Sequence, residues 1–157
     1  MISNGTLARI DAAKNTVVAS IPIPTAKGKL LADAHAAWVD DGAAIWRVDA
    51  QTNEIKRLDF GGPTEACLDG GTLWVLEFTN RHHVGKNTVA SLRLHAFDAQ
   101  TLQVVGDPVS LGSSEESLDA ISLSGIHLQA CLSDEVWVSD RSGVLLRLDM
   151  RPRTQAP

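Results

Sequence analysis

The sequence has few cysteines, fewer cations than anions and no long apolar run. Of its 157 residues, 14 are Lys or Arg and 19 are Asp or Glu, so the formal net charge is −5. Nucleic acids and anionic membranes attract proteins with clustered cations, and we therefore expect neither as a partner. A transmembrane helix needs about 18 or more consecutive apolar residues, and no such stretch is present, so we predict no membrane-spanning helix in this chain.

Common catalytic and targeting signals are also absent. The sequence contains no nucleophile elbow, Walker loop, dinucleotide fingerprint or HExxH motif. Residues 2–5 already align with a turn of the repeat described below, so we predict no signal peptide in this chain. Cys67 and Cys131 are interpreted as small buried residues of the core. A disulfide between them would have to join separate repeat units, and two cysteines do not make a zinc set.

The dominant feature of the sequence is an internal repeat. An aspartate preceded by an apolar residue recurs at Asp11, Asp49, Asp98 and Asp149, at intervals of 38, 49 and 51 residues. The first three are followed by short runs rich in Ala, Asn, Gln and Thr. Asp, Asn and Thr side chains bond readily to nearby backbone, so these runs predict tight turns. We predict an apolar strand after each turn, at residues 17–23, 55–60 and 104–111.

A tryptophan stands upstream of three of these aspartates. Trp38, Trp74 and Trp137 are each preceded by a short apolar segment, and two of those segments read Ala-Cys-Leu around Cys67 and Cys131. Each full unit therefore predicts four short strands, A to D: Cys or Leu lies on A, Trp on B, the Asp ends C, and an apolar run forms D. Four antiparallel strands in about 40–50 residues are typical of a β-propeller blade.

Two stretches carry a family resemblance. Residues 6–22, from Thr-Leu-Ala-Arg-Ile-Asp to Thr-Val-Val-Ala-Ser-Ile-Pro, resemble the YVTN-type propeller repeat. Residues 135–140, Glu-Val-Trp-Val-Ser-Asp, and their copies resemble blades of the virginiamycin B lyase-like group. The resemblance covers nearly the whole chain and implies an all-β fold: a β-propeller with four-stranded antiparallel blades, here a partial set of about three to four. No catalytic residue of the lyases matches a position in this chain, so we predict no catalytic residue.

The repeat predicts one partial propeller domain over residues 1–157. Its units are approximately 1–23 with strands C and D, 28–60 and 64–111 with all four strands, and 126–150 with strands A, B and C. A closed ring usually needs about four to eight blades. The alternatives are a segment of a longer propeller, a ring completed by self-association, and a small closed ring of this chain alone. We favour the fragment or the oligomer.

The resemblance also implies where a site would lie, because D–A and B–C connections of propellers share one face. Two connections are long here, 77–89 and 112–127, and long loops are often functional. The binding residues predicted on this face are Arg81, His82, His83, Glu65, Glu115, Glu116 and His127. Histidine beside carboxylates suits metal binding or general base catalysis. A solvated polar loop is the simpler interpretation of the His82-His83 pair, and we predict no metal ligand.

Other recurrent residues have structural interpretations. We interpret the tryptophans as packing between blades and His95 as a strand residue explained by packing or by an edge hydrogen bond. The series Arg9, Arg47 and Arg147 is interpreted as lying along the blade surface or pairing with turn carboxylates.

Three functions remain open at this stage. The first is a non-catalytic propeller module that binds a protein or a small-molecule ligand and needs no cofactor. The second is a metal-assisted, lyase-like propeller enzyme, which implies a divalent metal on the His82, His83, Glu65 and His127 face. The third is a fragment of a larger propeller without an independent function. No compartment is indicated by the sequence.

Overall fold

The computed structural model describes residues 2–25, 27–62, 64–84, 87–113, 127–132, 135–139 and 145–150. Every regular element in these ranges is a β-strand, and the strands form four antiparallel sheets. None of the described residues belongs to a helix that could cross a membrane. The predicted fold class, an all-β partial set of four-stranded antiparallel blades, is confirmed, and we call the four sheets blades 1 to 4.

The first two blades lie in the N-terminal part of the chain. The strands of blade 1 are β1 (Ile2–Ser3), β2 (Thr6–Asp11) and β3 (Thr16–Pro22). The strands of blade 2 are β4 (Lys29–Ala32), β5 (Ala36–Asp40), β6 (Ala44–Asp49) and β7 (Ile55–Asp59). Blade 1 thus has a strand that the sequence did not predict, since the two residues of β1 pair with Leu7 and Thr6.

The other two blades lie in the C-terminal part. Blade 3 contains β8 (Thr64–Asp69), β9 (Thr72–Val84), β10 (Asn87–Asp98) and β11 (Val109–Ser113). Blade 4 contains β12 (His127–Leu132), β13 (Glu135–Ser139) and β14 (Leu145–Asp149). The strand predicted at 104–111 is shorter and lies later, because Val104 makes only an isolated bridge to Phe97 and the strand itself begins at Val109.

The predicted turns after the repeat aspartates form in the same way in three blades. Oδ1 of Asp49 accepts backbone N–H bonds from Gln51 (2.9 Å) and Thr52 (3.0 Å). Equivalent pairs of bonds reach Asp11 and Asp98. The N–H groups of Thr52 and Gln51 stabilise the carboxylate and lower the pKa of Asp49 to about 2.

The long connection at 77–89 is a paired hairpin rather than an irregular loop. β9 has 13 residues and β10 has 12, whereas β5 and β6 of blade 2 have five and six. Pairing continues past Phe78↔Leu92 to Asn87↔Val84, with one irregularity between Val89 and Ser91. The sequence analysis missed this because a polar run does not show whether its two halves pair with each other.

The chain divides into two compact units, Met1–Thr64 and Glu65–Pro157, and each has its own core. The core of the first unit joins blades 1 and 2 through Leu7, Ile21, Ile23, Val39 and Val48. The core of the second unit joins blades 3 and 4 and contains Cys67, Leu76, Phe78, Ala90, Leu94, Leu128, Cys131, Val136 and Val138. Burial of these apolar side chains against the neighbouring sheet is the main force that holds each pair of blades together.

The repeated tryptophans lie beside the repeated arginines. The guanidinium of Arg47 is 6.0 Å from the ring centroid of Trp38, and that of Arg147 is 5.8 Å from the ring centroid of Trp137. Trp38 is fully buried, and Trp74 packs against the second core, as predicted for packing residues. Arg47 also contacts Asp49 at 3.4 Å, which agrees with the predicted pairing of these arginines with turn carboxylates.

Candidate functional site

The structure places the predicted site residues on three strands of the second unit. Glu65 lies on β8, Arg81, His82 and His83 lie on β9, and His127 begins β12. Glu115 and Glu116 lie outside the described residues. Whether any of these residues binds a ligand remains a prediction, but their placement can be stated residue by residue.

Glu65 and His127 come together between blades 3 and 4. Nδ1 of His127 lies 2.8 Å from Oε1 of Glu65, and the backbone N–H of Leu128 donates to Oε2 of Glu65 at 2.6 Å. The Glu65 side chain is 26% exposed and the His127 side chain is 49% exposed, so solvent reaches the pair. One carboxylate therefore orients an imidazole and fixes the start of the neighbouring strand at the same time.

A disulfide lies on the same seam between the two blades. Glu65 and Cys67 are two positions apart on β8, so their side chains leave the same face of the strand. That face is directed at blade 4, where Glu65 contacts His127 and Cys67 is bonded to Cys131, with 6.0 Å between the two Cα atoms. The two cysteines are buried in the second core, as predicted, but packing alone does not describe them, because the inter-blade disulfide that the sequence analysis considered is present.

The two cysteines meet because they are not structurally equivalent, contrary to their identical Ala-Cys-Leu contexts. In blade 4, Ala130 lies opposite Trp137, which puts Cys131 opposite Val136. Cys131 precedes Trp137 by six positions, whereas Cys67 precedes Trp74 by seven. A shift of one residue moves a side chain to the other face of the strand. Cys67 thus points forward to blade 4 and Cys131 points back to blade 3.

The extended hairpin of β9 and β10 is buried at its base and exposed beyond it. Phe78, Val89 and Ala90 are at most 3% exposed, while the side chains of Arg81 and His82 are exposed. Nδ1 of His82 lies 2.9 Å from the backbone carbonyl oxygen of its neighbour Asn80. Within the described residues, no hydrogen bond or ion pair joins Arg81 or His82 to the pair formed by Glu65 and His127.

Sequence analysis missed a second carboxylate–imidazole pair, in blade 3. Nε2 of His95 lies 2.9 Å from Oε2 of Glu77, with 15% and 9% of the two side chains exposed. In blade 2 the residues at the same repeat positions are Asp41 and Trp46, and Trp46 Nε1 donates to Asp41 Oδ2 at 2.9 Å. The recurrence of an acid three positions after each tryptophan was the available signal.

The acid of blade 2 shows what this position does electrostatically. Partial burial would raise the pKa of Asp41, but the Trp46 indole and the backbone N–H groups of Ala44 and Ala43 donate hydrogen bonds that lower it below its usual value. The carboxylate therefore stays charged and holds the strand C ring in place. Glu77 occupies this structural position in blade 3, with a histidine as its ring partner.

A cavity of about 260 Å³ lies between blades 1 and 2 of the first unit. Its wall is mostly aliphatic and includes Leu7, Ile10, Leu30 and Ala37, with Arg9 among the polar residues that line it. Arg9 donates a hydrogen bond to the backbone carbonyl of Ala50. The sequence analysis did not predict this cavity.

A metal site in a protein is formed by several His, Cys, Asp or Glu side chains grouped around one point. Over the part of the chain that the structure describes, no three His, Cys, Asp or Glu side chains are grouped as a metal site would require. Glu65 and His127 could supply two ligands, but the described residues show no third beside them.

The fold and these sites define the chain as an all-β protein made of propeller-type blades. No protein-family model matches the chain, and none of the curated proteins is significantly similar to it in sequence.

Proposed function

We propose that this protein is a non-catalytic propeller module that binds a protein or a small-molecule ligand and requires no cofactor. The observation that carries the proposal is the extended hairpin of β9 and β10. It is the clearest departure from the repeated blade among the described residues, and it extends from the end of the sheet where β8 begins, close to Glu65. An added element on an otherwise regular scaffold is where function is expected.

The hairpin has the construction of a contact element. Its base is fixed because Phe78 and Ala90 are buried in the second core. Beyond the base, Arg81 and His82 expose two hydrogen-bonding side chains on a paired backbone. A paired hairpin loses less conformational entropy on binding than a mobile loop of equal length, which favours affinity.

We also propose that the blades belong to a larger or oligomeric propeller of the YVTN or virginiamycin B lyase-like kind, forming one domain over residues 1–157. Support comes from the four blade-like antiparallel sheets in the described residues. With a net charge of −5, neither nucleic acid nor a membrane is proposed as a partner.

A metal-assisted lyase-like enzyme is the second candidate, and the contact between Glu65 and His127 favours it. A solvent-accessible imidazole oriented by a carboxylate is a recurrent arrangement for general base catalysis. We rank it second because the same contact also has a structural role, through the bond from Leu128 N–H to Glu65.

The first experiment shortens the hairpin and leaves its buried base intact. Residues 81–89 are replaced by Asn-Gly, so that Asn80 and Ala90 flank a two-residue β-turn and the native pair Thr79↔Ser91 is kept. Wild type, the shortened variant and the surface control Lys14→Ala are immobilised and exposed to an extract of the source cells. We expect wild type and control to retain the same proteins or small molecules, and the shortened variant to retain them at least about tenfold less. Equal retention by all three would contradict the proposal.

The second experiment separates binding from catalysis. Elemental analysis of the purified protein should find no stoichiometric divalent metal, and His127→Ala should leave ligand retention unchanged. A bound metal at one equivalent that disappears in His127→Ala would favour the enzyme instead.

A further inference from the structure

The hairpin of β9 and β10 carries positive charge on a chain whose net charge is negative. Residues 81–86 read Arg-His-His-Val-Gly-Lys, and no Asp or Glu occurs from 78 to 92. Without Arg81 and Lys86, the chain has 12 Lys and Arg against 19 Asp and Glu, so the remainder carries a charge of −7. The hairpin and the rest of the chain are therefore opposite in sign.

Arg81 lacks the carboxylate partner that two other exposed arginines have. In blade 2, Arg57 forms an ion pair with Asp59, and in blade 4 Arg147 forms one with Glu135. The Arg81 side chain is exposed and makes no ion pair within the part of the chain that the structure describes. Its guanidinium is therefore available to an anionic group from outside this blade.

A β-bulge determines how the hairpin presents this side chain. Asn80 and Arg81 share the single position opposite Ala90, and Asn80 accommodates the extra residue with a φ of 51°. Bulges change the direction of side chains, and they recur beside functional sites. Nδ1 of the next residue, His82, lies 2.9 Å from the carbonyl oxygen of Asn80, which orients the imidazole. Two adjacent hydrogen-bonding side chains are thus held on a paired backbone.

The negative charge of the same two strands lies far from Arg81. The nearest acid along β9 is Glu77, four residues away, and the nearest along β10 is Asp98. Four residues of extended strand span about 13 Å, whereas the Debye length at physiological salt is about 8 Å. An anion bound at Arg81 is therefore largely screened from the acids of these strands.

We propose that the exposed part of the hairpin, at Arg81 and His82, binds a short acidic segment of a partner protein, a run of Asp and Glu. The guanidinium offers paired N–H donors that match the geometry of a carboxylate, and His82 places a second polar group beside it. A nucleic acid or an anionic membrane fits less well, because a few cations on an anionic chain release few counterions. The inference rests on the proposed binding function and names the class of partner.

The test uses a fluorescein-labelled peptide of eight glutamates, titrated into the full chain and followed by anisotropy and by NMR. We expect saturable binding that shifts the amide signals of Arg81 and His82. Binding should weaken at least about fivefold when NaCl is raised from about 50 mM to about 300 mM, because salt screens exposed charges. A peptide of eight glutamines has the same length without the charge and should not bind.

Charge variants locate the contact on the hairpin. Arg81→Glu reverses the charge at an exposed position and should weaken binding at least about tenfold, whereas Arg81→Lys keeps the charge and should stay within about threefold of wild type. The matched control is Lys56→Glu, which reverses an exposed cation of blade 2 and should change binding less than about twofold.

Several outcomes would overturn the inference. These are the absence of saturable binding at millimolar peptide, equal binding of the glutamine peptide, and equal weakening by Arg81→Glu and Lys56→Glu. An oligothymidylate or a phosphatidylserine vesicle that binds as tightly as the glutamate peptide would make the hairpin a general polyanion site and would overturn it too. A dimer that Arg81→Glu dissociates would assign the hairpin to a second copy of this chain, with the same consequence.

The proposed function and this inference can fail separately. If the shortened hairpin loses its partners from the cell extract while Arg81→Glu retains all of them, the hairpin is a binding element and only the acidic partner is wrong. If the shortened variant retains the same partners as wild type, the proposed function itself is contradicted.

Discussion

The turn that follows strand C shows how single residues determine the geometry of each blade. Four positions after the turn aspartate, the backbone has a positive φ: 50° at Asn15, 60° at Asn53 and 61° at Leu102. Asparagine tolerates this left-handed region, whereas most other side chains are strained there. The same backbone bond closes the turn in blades 2 and 3, from Asn53 to Asp49 and from Leu102 to Asp98. Blade 3 therefore keeps the turn with a less suitable residue.

This strain predicts a stabilising substitution. Leu102→Asn should raise the free energy of unfolding by about 0.5–1 kcal/mol, because the left-handed conformation costs a leucine roughly 1–2 kcal/mol and the partial burial of Leu102 offsets some of the gain. The reverse change in blade 2, Asn53→Leu, should lower it by about 1 kcal/mol. Urea unfolding of the three chains measures both differences. A destabilised Leu102→Asn variant would show that the apolar contacts of Leu102 outweigh its backbone strain.

At the scale of elements, the disulfide between blades 3 and 4 depends on which face of its strand each cysteine occupies. A disulfide across a seam needs one cysteine on the forward face of its strand and one on the backward face of the next. The shorter spacing from Cys131 to Trp137, six positions rather than seven, supplies that reversal. The Cα atoms of the two cysteines are 6.0 Å apart, a distance within the usual range for a disulfide.

Reduction of this disulfide should destabilise the second unit. The bond joins residues separated by 64 positions, and in the chain-entropy treatment a loop of that length contributes about 4 kcal/mol. Urea unfolding with and without reductant measures the loss. The double variant Cys67→Ser/Cys131→Ser should have the same unfolding midpoint as the reduced protein, and reductant should not change that midpoint. Reduction without any change in the unfolding midpoint would show that the cysteines do not crosslink the folded chain.

The elements that sequence could predict are those with local causes. Turn aspartates, strand C and the tryptophan strand are specified by neighbouring residues, as with Asp49 and its bonds to Gln51 and Thr52. The shared face of Glu65 and His127 followed from blade topology, and the structure brings these two side chains together. The pairing of 77–84 with 87–94 could not be predicted, because polar side chains specify neither partner nor register.

The contact between Glu77 and His95 and the cavity beside Ala37 required a comparison between blades rather than along one blade. A histidine at position 95 is unremarkable until Trp46 is seen to hold the same acid position in blade 2. Likewise, an alanine at position 37 signals a cavity only because Leu73 and Val136 directly precede tryptophan elsewhere. The sequence alone does not give the register between neighbouring strands, and that register decides which residues of different blades are equivalent.

At the scale of the whole molecule, the exposed apolar surface of the blades bears on assembly. Blades 1 and 4 have three strands each in the described residues, and blades 2 and 3 have four. Exposed apolar side chains occur on several blades, including Val17 at 59% and Leu146 at 43%. Exposed apolar surface favours association with further polypeptide.

Self-association that completes a ring therefore predicts a defined dimer. Light scattering on a size-exclusion column should give twice the chain mass of 16.8 kDa. Trp74 and Trp137 are both partly exposed, but Trp74 packs against the cluster shared with the following blade, so the Trp137 side of blade 4 is the expected contact. Trp137→Glu should yield a folded monomer, since a charge would be buried without a partner on dimerisation. Leu132→Glu, at an exposed position of the same blade, is the matched control and should remain dimeric. A wild-type monomer at all concentrations would exclude self-association.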